Sequence, residues 1–378
     1  MTNNLFYGLG RVYPNGEDGC VWIGSAHDNS VTSNECSDSY GGGIAVGPNP
    51  GVTNDYEYNN TITLNNIHDI GEGVISDFGC VHFANFGGSV HSNLGDLFKY
   101  NICRDITHDV PGAANANVGD VANGGTGIYI DNNSQNVTAM DNLVYRTSGA
   151  LFFNNGSPNC NQTSSGIPSC KNNVQSNILA YSLQGPIKRG TDTGSGDTLQ
   201  DFTFQNNIIY FGANQMTSSG PQWLGNATNS DFWDCGISNL STPPPCTSYF
   251  NFLSNGYYSP SLTFNLPAFV TVNVVSSSRT LQYWYGLPQW QTTADNLPGE
   301  DQSSGGMAVY ANPNFTDPSY IGNNFQFQNN SVPTTIGFDL TNFTNYTYNA
   351  GRTTIPLLLV PARVAPTFPL TLPSPVQF

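Results

Sequence analysis

Asn60-Thr-Ile62-Thr-Leu-Asn65-Asn66-Ile67 sets an asparagine before a β-branched residue, and a second asparagine a few positions on, followed by an aliphatic side chain. The phrase also stands at Asn29-Ser-Val31-Thr-Ser-Asn34, Asn136-Val137-Thr-Ala-Met-Asp141-Asn142-Leu143, Asn172-Asn-Val174-Gln-Ser-Asn177-Ile178 and Asp201-Phe-Thr-Phe204-Gln-Asn206-Asn207-Ile208. A weaker copy is Leu97-Phe98-Lys-Tyr100-Asn101-Ile102-Cys103. A second phrase, glycine before a short apolar run, follows the earlier copies. Its examples are Gly43-Ile-Ala-Val46, Gly73-Val-Ile-Ser-Asp77, Gly127-Ile-Tyr-Ile-Asp131, Gly149-Ala-Leu-Phe-Phe153 and Gly185-Pro-Ile-Lys-Arg189. A period of roughly 30–40 residues is the signature of stacked repeats.

The physical reading is an all-β fold, a right-handed parallel β-helix: a solenoid with long loops and asparagine ladders. Each coil would carry two or three short strands, with alternate side chains stacking on the same position about 4.8 Å along the axis. Asparagine suits the bends because it tolerates left-handed backbone, and its amide can bond the next coil. A β-sandwich with Asn-rich turns would not keep one phrase in a fixed order. The expected organisation is one β-helix domain over residues 1–340, with degenerate coils and long loops over 220–300, and a Pro-rich tail over 341–378.

Composition narrows the function classes. The 378 residues are 38% hydrophobic, 12% aromatic and only 10% charged, which describes a folded chain dressed in neutral polar groups. The net charge of −16, with 10 scattered Lys and Arg, argues against nucleic acid and against anionic membrane surfaces. Ile355–Val360, the best apolar run, is too short to span a bilayer. Eight cysteines are expected as disulfides: Cys20–Cys36 and Cys80–Cys103 on neighbouring coils, Cys160–Cys170 and Cys235–Cys246 across local loops. Asn59, Asn136, Asn161, Asn226, Asn239, Asn314, Asn342 and Asn345 are glycosylation candidates. These features fit an extracellular glycoprotein, although Met1–Gly10 lacks the basic end and apolar stretch of a signal peptide.

Several phrases carry a family resemblance. They are Gly10-Arg-Val12, Gly19-Cys-Val-Trp-Ile-Gly24, Asn66-Ile-His-Asp-Ile-Gly-Glu-Gly-Val-Ile-Ser-Asp-Phe-Gly79, Gly124-Gly-Thr-Gly-Ile-Tyr-Ile-Asp131 and Asp141-Asn-Leu-Val-Tyr-Arg-Thr147. Later come Ser176-Asn-Ile-Leu-Ala-Tyr181, Phe204-Gln-Asn-Asn-Ile-Ile-Tyr210, Trp290-Gln291, Ala311-Asn-Pro-Asn-Phe-Thr-Asp-Pro318 and Ile336-Gly-Phe338. In that order they resemble secreted right-handed β-helix proteins of the pectate-lyase-like superfamily. The nearest likeness is to the β-helix glycoside hydrolases that include α-L-fucosidases and xylanases. The likeness covers Gly10 to Asp339 and implies that the acid residues lie at Asp77 and Asp131. Two departures stand against it: Asn132 where relatives carry Glu, and Phe152-Phe153-Asn154 where they carry a His-Gln-His cluster.

The residues themselves point to the same pair. Counting four from each leading glycine aligns Asp77, Asp131, Phe153 and Arg189. Two carboxylates stacked on adjacent coils would stand about 5 Å apart, the separation of a retaining glycosidase. The alternative is that both cap strand ends through turn backbone. Tyr129, which shares the face of Asp131, is a candidate for stacking on a sugar ring. His82 is a candidate relay or sugar ligand, and Lys188 and Arg189 are candidate substrate ligands. His68, His108 and Glu72 read as turn residues. Hydrolysis needs no cofactor. A polysaccharide lyase would need calcium and a basic residue, which Lys188 or Arg189 would supply. The third expectation is a non-catalytic adhesive or structural glycoprotein whose coil ends self-associate. The expected partner is a polysaccharide or glycan.

Overall fold

In the computed structural model the described residues are 1–13, 19–47, 57–84, 95–108, 124–131, 134–155, 172–182, 187–189, 202–210, 250–258, 270–276, 279–285, 308–319 and 322–352. They are dominated by three parallel sheets of nine, six and seven strands. The first sheet contains Leu5–Tyr7, Glu35–Ser39, Asn66–Ile70, Ile102–Ile106, Leu143–Thr147, Ile178–Ser182, Ile208–Tyr210, Gly256–Tyr258 and Val309–Tyr310. The second runs through Val21–Ile23, Ile44–Val46, Gly79–Ala84, Thr126–Asp131, Phe152–Asn154 and Ile187–Arg189. The third comprises Ser30–Thr32, Thr61–Thr63, Leu97–Lys99, Thr138–Met140, Asn172–Gln175, Phe202–Gln205 and Phe250–Leu253. From Val21 to Tyr210 the chain visits second, third and first sheet in turn, and each strand pairs in parallel with the strand three places on. That order is compatible with the expected parallel β-helix.

The asparagine phrase builds the bend between the third and first sheets. Asn4, Asn34, Asn65, Asn101, Asn142, Asn177, Asn207 and Asn255 stand one above another. Each of the first seven donates both its backbone N–H and its Nδ2 to Oδ1 of the next, at 2.9–3.2 Å. From Asn65 onward, Nδ2 also donates to a backbone carbonyl of the preceding level, such as Val31 or Ile62. Buried amides are thereby paired along the whole column. The left-handed residue is not the ladder asparagine. It is the one before it: Asn3, Ser33, Leu64, Tyr100, Asp141, Ser176, Asn206 and Ser254 all have φ between +52° and +59°.

A second, shorter ladder joins the second and third sheets. Asn29 donates to Asn60 Oδ1, and the Asn60 N–H donates to Asp96 Oδ1 at 2.8 Å. At the next level Val137 offers no side-chain amide, and the column resumes with Val137 N donating to Asn172 Oδ1.

One core column explains four cysteines and two glycines together. Cys20–Cys36 and Cys80–Cys103 are disulfides, as expected, and all four are buried. Each crosses the interior from the second sheet to the first within one round of strands, so the expected link between neighbouring coils is corrected. Between the two bridges lies Gly43 opposite Ile67, where a Cβ would come within 2.1 Å of the Cys80 carbonyl and 2.9 Å of Ile67 Cγ2. Gly127 sits in the same relation to Val144, at 2.3 Å. The column therefore alternates a cross-link with a glycine–aliphatic pair that fills the same width. Cys160, Cys170, Cys235 and Cys246 lie outside the described residues.

Helices α1 (Ser331–Ile336) and α2 (Leu340–Tyr346) and the hairpin of Phe315–Asp317 and Asn324–Phe327 cover the outer face of the first sheet. There Phe315, Phe325, Ile336, Phe338 and Phe343 pack on Leu143, Tyr145, Ile178 and Ile208. Residues 341–352, expected as the start of a tail, thus belong to the packed body. Within 220–300 the described residues add Phe250–Leu253 and Gly256–Tyr258 to the sheets and an antiparallel hairpin, Val270–Ser276 with Arg279–Tyr285. Among the glycosylation candidates, Asn59 and Asn345 are exposed, Asn136, Asn314 and Asn342 are partly buried, and Asn161, Asn226 and Asn239 lie outside the described residues. Asn342 is engaged at the start of α2, donating to Asp339 Oδ2. Among the described residues no helix is long and apolar enough to cross a membrane.

Candidate functional site

The site is built on the outer face of the second sheet. Along Thr126–Asp131, Ile128 and Ile130 join the core, so Tyr129 and Asp131 take the opposite face. Register then fixes one outer row: Trp22, Ala45, His82, Tyr129 and Phe153, with Lys188 the backbone partner of Phe153 on the next strand. Asp131 falls one row further, opposite Ala84.

This register corrects the expected alignment. The strand of that level begins at Gly79, not Gly73. Residues 73–77 form the bend before it, with φ of +72° at Gly73 and +57° at Asp77. Asp77 and Asp131 are therefore not paired across adjacent strands. Phe153 pairs with Tyr129 and Lys188, while Arg189 pairs with Asn154. Arg189 consequently stands in the row of Ile130, not of Asp131. The glycine count misled because Gly73 belongs to the bend, seven residues short of the true register of Asp131 with Ala84, and because the leading glycines of the later strands are not in register with Gly127.

The two aspartates are nonetheless joined through Tyr129. Its hydroxyl donates to Asp77 Oδ1 at 3.1 Å. Burial, then the charges of Asp131 and Asp77, then hydrogen bonding with both, hold the phenol's pKa well above its ordinary value. Asp77 is exposed; Asp131 is 4% exposed. Asp131 Oδ2 lies 3.2 Å from His82 Nε2, and Asp131 Oδ1 accepts from Asn155 Nδ2 at 2.7 Å. The carboxylate facing Nε2 places the ring proton there. His82 Nδ1 is buried without a hydrogen-bond partner.

Tyr129 does not offer a ring to a sugar. His82 stacks on one face at 4.4 Å and 3°, and Phe153 on the other at 4.9 Å and 13°. The exposed aromatic of this row is Trp22, 57% exposed. A Cβ on Gly24 would come within 2.9 Å of its indole, so the glycine is what lets the ring lie flat along the strand. An exposed Trp two residues before a Gly, on one strand face, was the available sequence signal for it.

The other candidates resolve differently. His68 was read as a turn residue, but its Nδ1 meets Asp69 Oδ2 at 2.7 Å and its Nε2 lies 3.4 Å from Glu35 Oε1. Arg104 continues that network, bonding Asp105 at 2.7 Å, and Arg146 meets the same carboxylate. His108 packs in the bend beside Asp77, where its N–H donates to Ser148 Oγ at 2.8 Å. Glu72 is an exposed turn residue with φ +49°. Among the described residues no group of three or more His, Cys, Asp or Glu is placed to hold a metal ion.

Protein-family models, curated proteins and solved structures give no match to the chain, and the geometry alone carries the functional reading.

Proposed function

We propose that the chain is a right-handed parallel β-helix of the pectate-lyase-like kind, working outside the cell as a glycoside hydrolase on cell-wall or matrix polysaccharide. The carrying observation is the Tyr129 hydroxyl held between an exposed carboxylate, Asp77, and a buried one, Asp131. In this reading Asp77 is the carboxylate that meets the sugar. The Tyr129 phenol, kept protonated by burial, steadies its charge by donating to it. Asp131 positions Tyr129 and His82 from the next row of the same face. Trp22, at the head of the same row, is the stacking surface for a pyranose face. Buried disulfides support the extracellular setting.

The test is turnover of fucosylated and xylan-type polysaccharides, read by release of reducing ends. Asp77→Asn should abolish turnover with folding intact, and Tyr129→Phe should lower it ~10–100-fold. Unchanged turnover in Asp77→Asn would refute the assignment. A calcium-dependent lyase would instead give an unsaturated, ultraviolet-absorbing product and lose activity in chelator.

A second reading, a non-catalytic glycoprotein, is favoured by the burial of Asp131 and by both its oxygens already having side-chain partners. It predicts glycan binding without turnover. Leu5 and Tyr7, exposed on the first edge strand, are where coil-end self-association would act in that reading.

A further inference from the structure

The C-terminal segment runs back along the column of left-handed bend residues, against the direction of the asparagine ladder. Val332 and Ile336 lie near Gly256, at 3.3 and 3.4 Å from where its Cβ would stand. Asn206 Nδ2 donates to the Ile336 carbonyl. The Asp339 N–H donates to Ser176 Oγ at 3.3 Å, and Thr347 Oγ1 donates to the Asp141 carbonyl at 2.5 Å. Tyr346 meets the ring of Tyr100 at 4.8 Å, and Gly351 N–H donates to the Leu64 carbonyl at 2.7 Å. Residues 332–351 thus strap five successive bends, from Asn206 back to Leu64.

One side chain beneath the strap is badly provided for. Asp141 is fully buried, and neither carboxylate oxygen has a hydrogen-bond partner. The charged groups facing it come from both sides of the seam. Lys99, at the end of its strand in the third sheet, holds Nζ 3.5 Å from Asp141 Oδ2. Asp339, the N-cap of α2, faces it from the strap with a second negative charge. One partly exposed ammonium must offset two carboxylates, one of them out of reach of water.

We propose that this strap is a pH-dependent latch, closed while Asp141 is protonated and released as Asp141 ionises against Asp339. Burial first, and then the charge of Asp339, push Asp141 up to about 7, with Lys99 pulling it back. A carboxyl whose closed-state pKa is raised favours closure below its ordinary range and loses that contribution as pH rises through about 7. If release rehydrates Asp141, the opening constant rises ~100-fold between pH 5 and pH 8. The sheets beneath keep their ladder bonds in either state.

The experiment is amide hydrogen exchange of the full chain, corrected for the intrinsic pH dependence and read separately for 340–349 and for strand Leu143–Thr147. The wild type should lose protection of the strap ~100-fold from pH 5 to pH 8 while the strand stays protected. Asp141→Asn should leave the strap protected alike at both values. Asp339→Asn, which keeps the cap oxygen and removes the like charge, lets the closed-state pKa of Asp141 fall, so the loss of protection should be smaller and should be complete at lower pH. A strap with flat protection in the wild type, or the same loss in Asp141→Asn, overturns the proposal.

Discussion

Asp96 occupies a place in the short ladder where Asn29 and Asn60 stand at the levels before it. It is 7% exposed and accepts the Asn60 N–H at 2.8 Å. Burial pushes its pKa from 3.8 up to about 6, even though the hydrogen bonds from Asn60 favour the charged form. The folded chain therefore binds this proton more tightly than the unfolded chain. That contribution is full below about pH 3.8 and is lost as pH rises through about 6. The rise from 3.8 to about 6 corresponds to ~3 kcal/mol at neutral pH. Asp96→Asn removes the titration and keeps the acceptor for Asn60. Its new amide hydrogens would reach toward the Glu57 carbonyl, the counterpart of Ala26, which Asn60 Nδ2 bonds at 3.1 Å. Urea unfolding of both proteins between pH 4 and pH 8 is the assay. The substitution should change little at pH 4 and should stabilise by ~2–3 kcal/mol at pH 7.5. A difference between the two that stays constant with pH would show that Asp96 is not held out of water, and the reasoning would fail.

Two further outcomes follow from the ladder and the core column. Asn101→Leu removes an acceptor used by Asn65 N and Nδ2 and the donors to Ile62 O and Asn142 Oδ1, all buried. It should cost ~3–5 kcal/mol or abolish soluble expression, and near-wild-type urea stability would contradict the ladder. Replacing Cys80 and Cys103 together by serine opens a loop with a separation of 23 residues and should cost ~3 kcal/mol in urea unfolding. A loss no larger than that caused by reductant-insensitive controls such as a surface substitution would argue against the bridge.

The fold was legible because its strongest chemistry repeats in sequence. Asn34, Asn65, Asn142, Asn177 and Asn207 each follow a short β-rich run, and each proves to be a ladder rung. The bend conformation was not legible, because no single residue type carries it. Leu64 and Tyr100 adopt φ of +58° and +59°, although neither favours it. The next residue's paired amide fixes the bend, so the preference resides in the stack and not in the residue.

The site failed to be read for a related reason, and the failure shows what sets strand phase here. Gly73 and Gly79 look alike in sequence and do different work. Gly73 supplies a left-handed bend, while a Cβ on Gly79 would crowd the Val81 carbonyl at 2.7 Å and Tyr129 Cβ at 3.1 Å. Counting from the first aligns Asp77 with Asp131. Counting from the second is still one residue out, because Gly79 pairs with Thr126 and not with Gly127, while the sheet pairs His82 with Tyr129. The apolar alternation would have chosen correctly: Val81 and Phe83 match Ile128 and Ile130 on the buried face, which leaves His82 and Tyr129 to share the other. Glycine marks where backbone comes close or turns, and only the buried row tells which. Phase taken from that row brings Asp77 to the site as the exposed neighbour of a stacked pair, not as half of a carboxylate pair. The chemistry to be tested therefore turns on one accessible carboxylate and the phenol that donates to it.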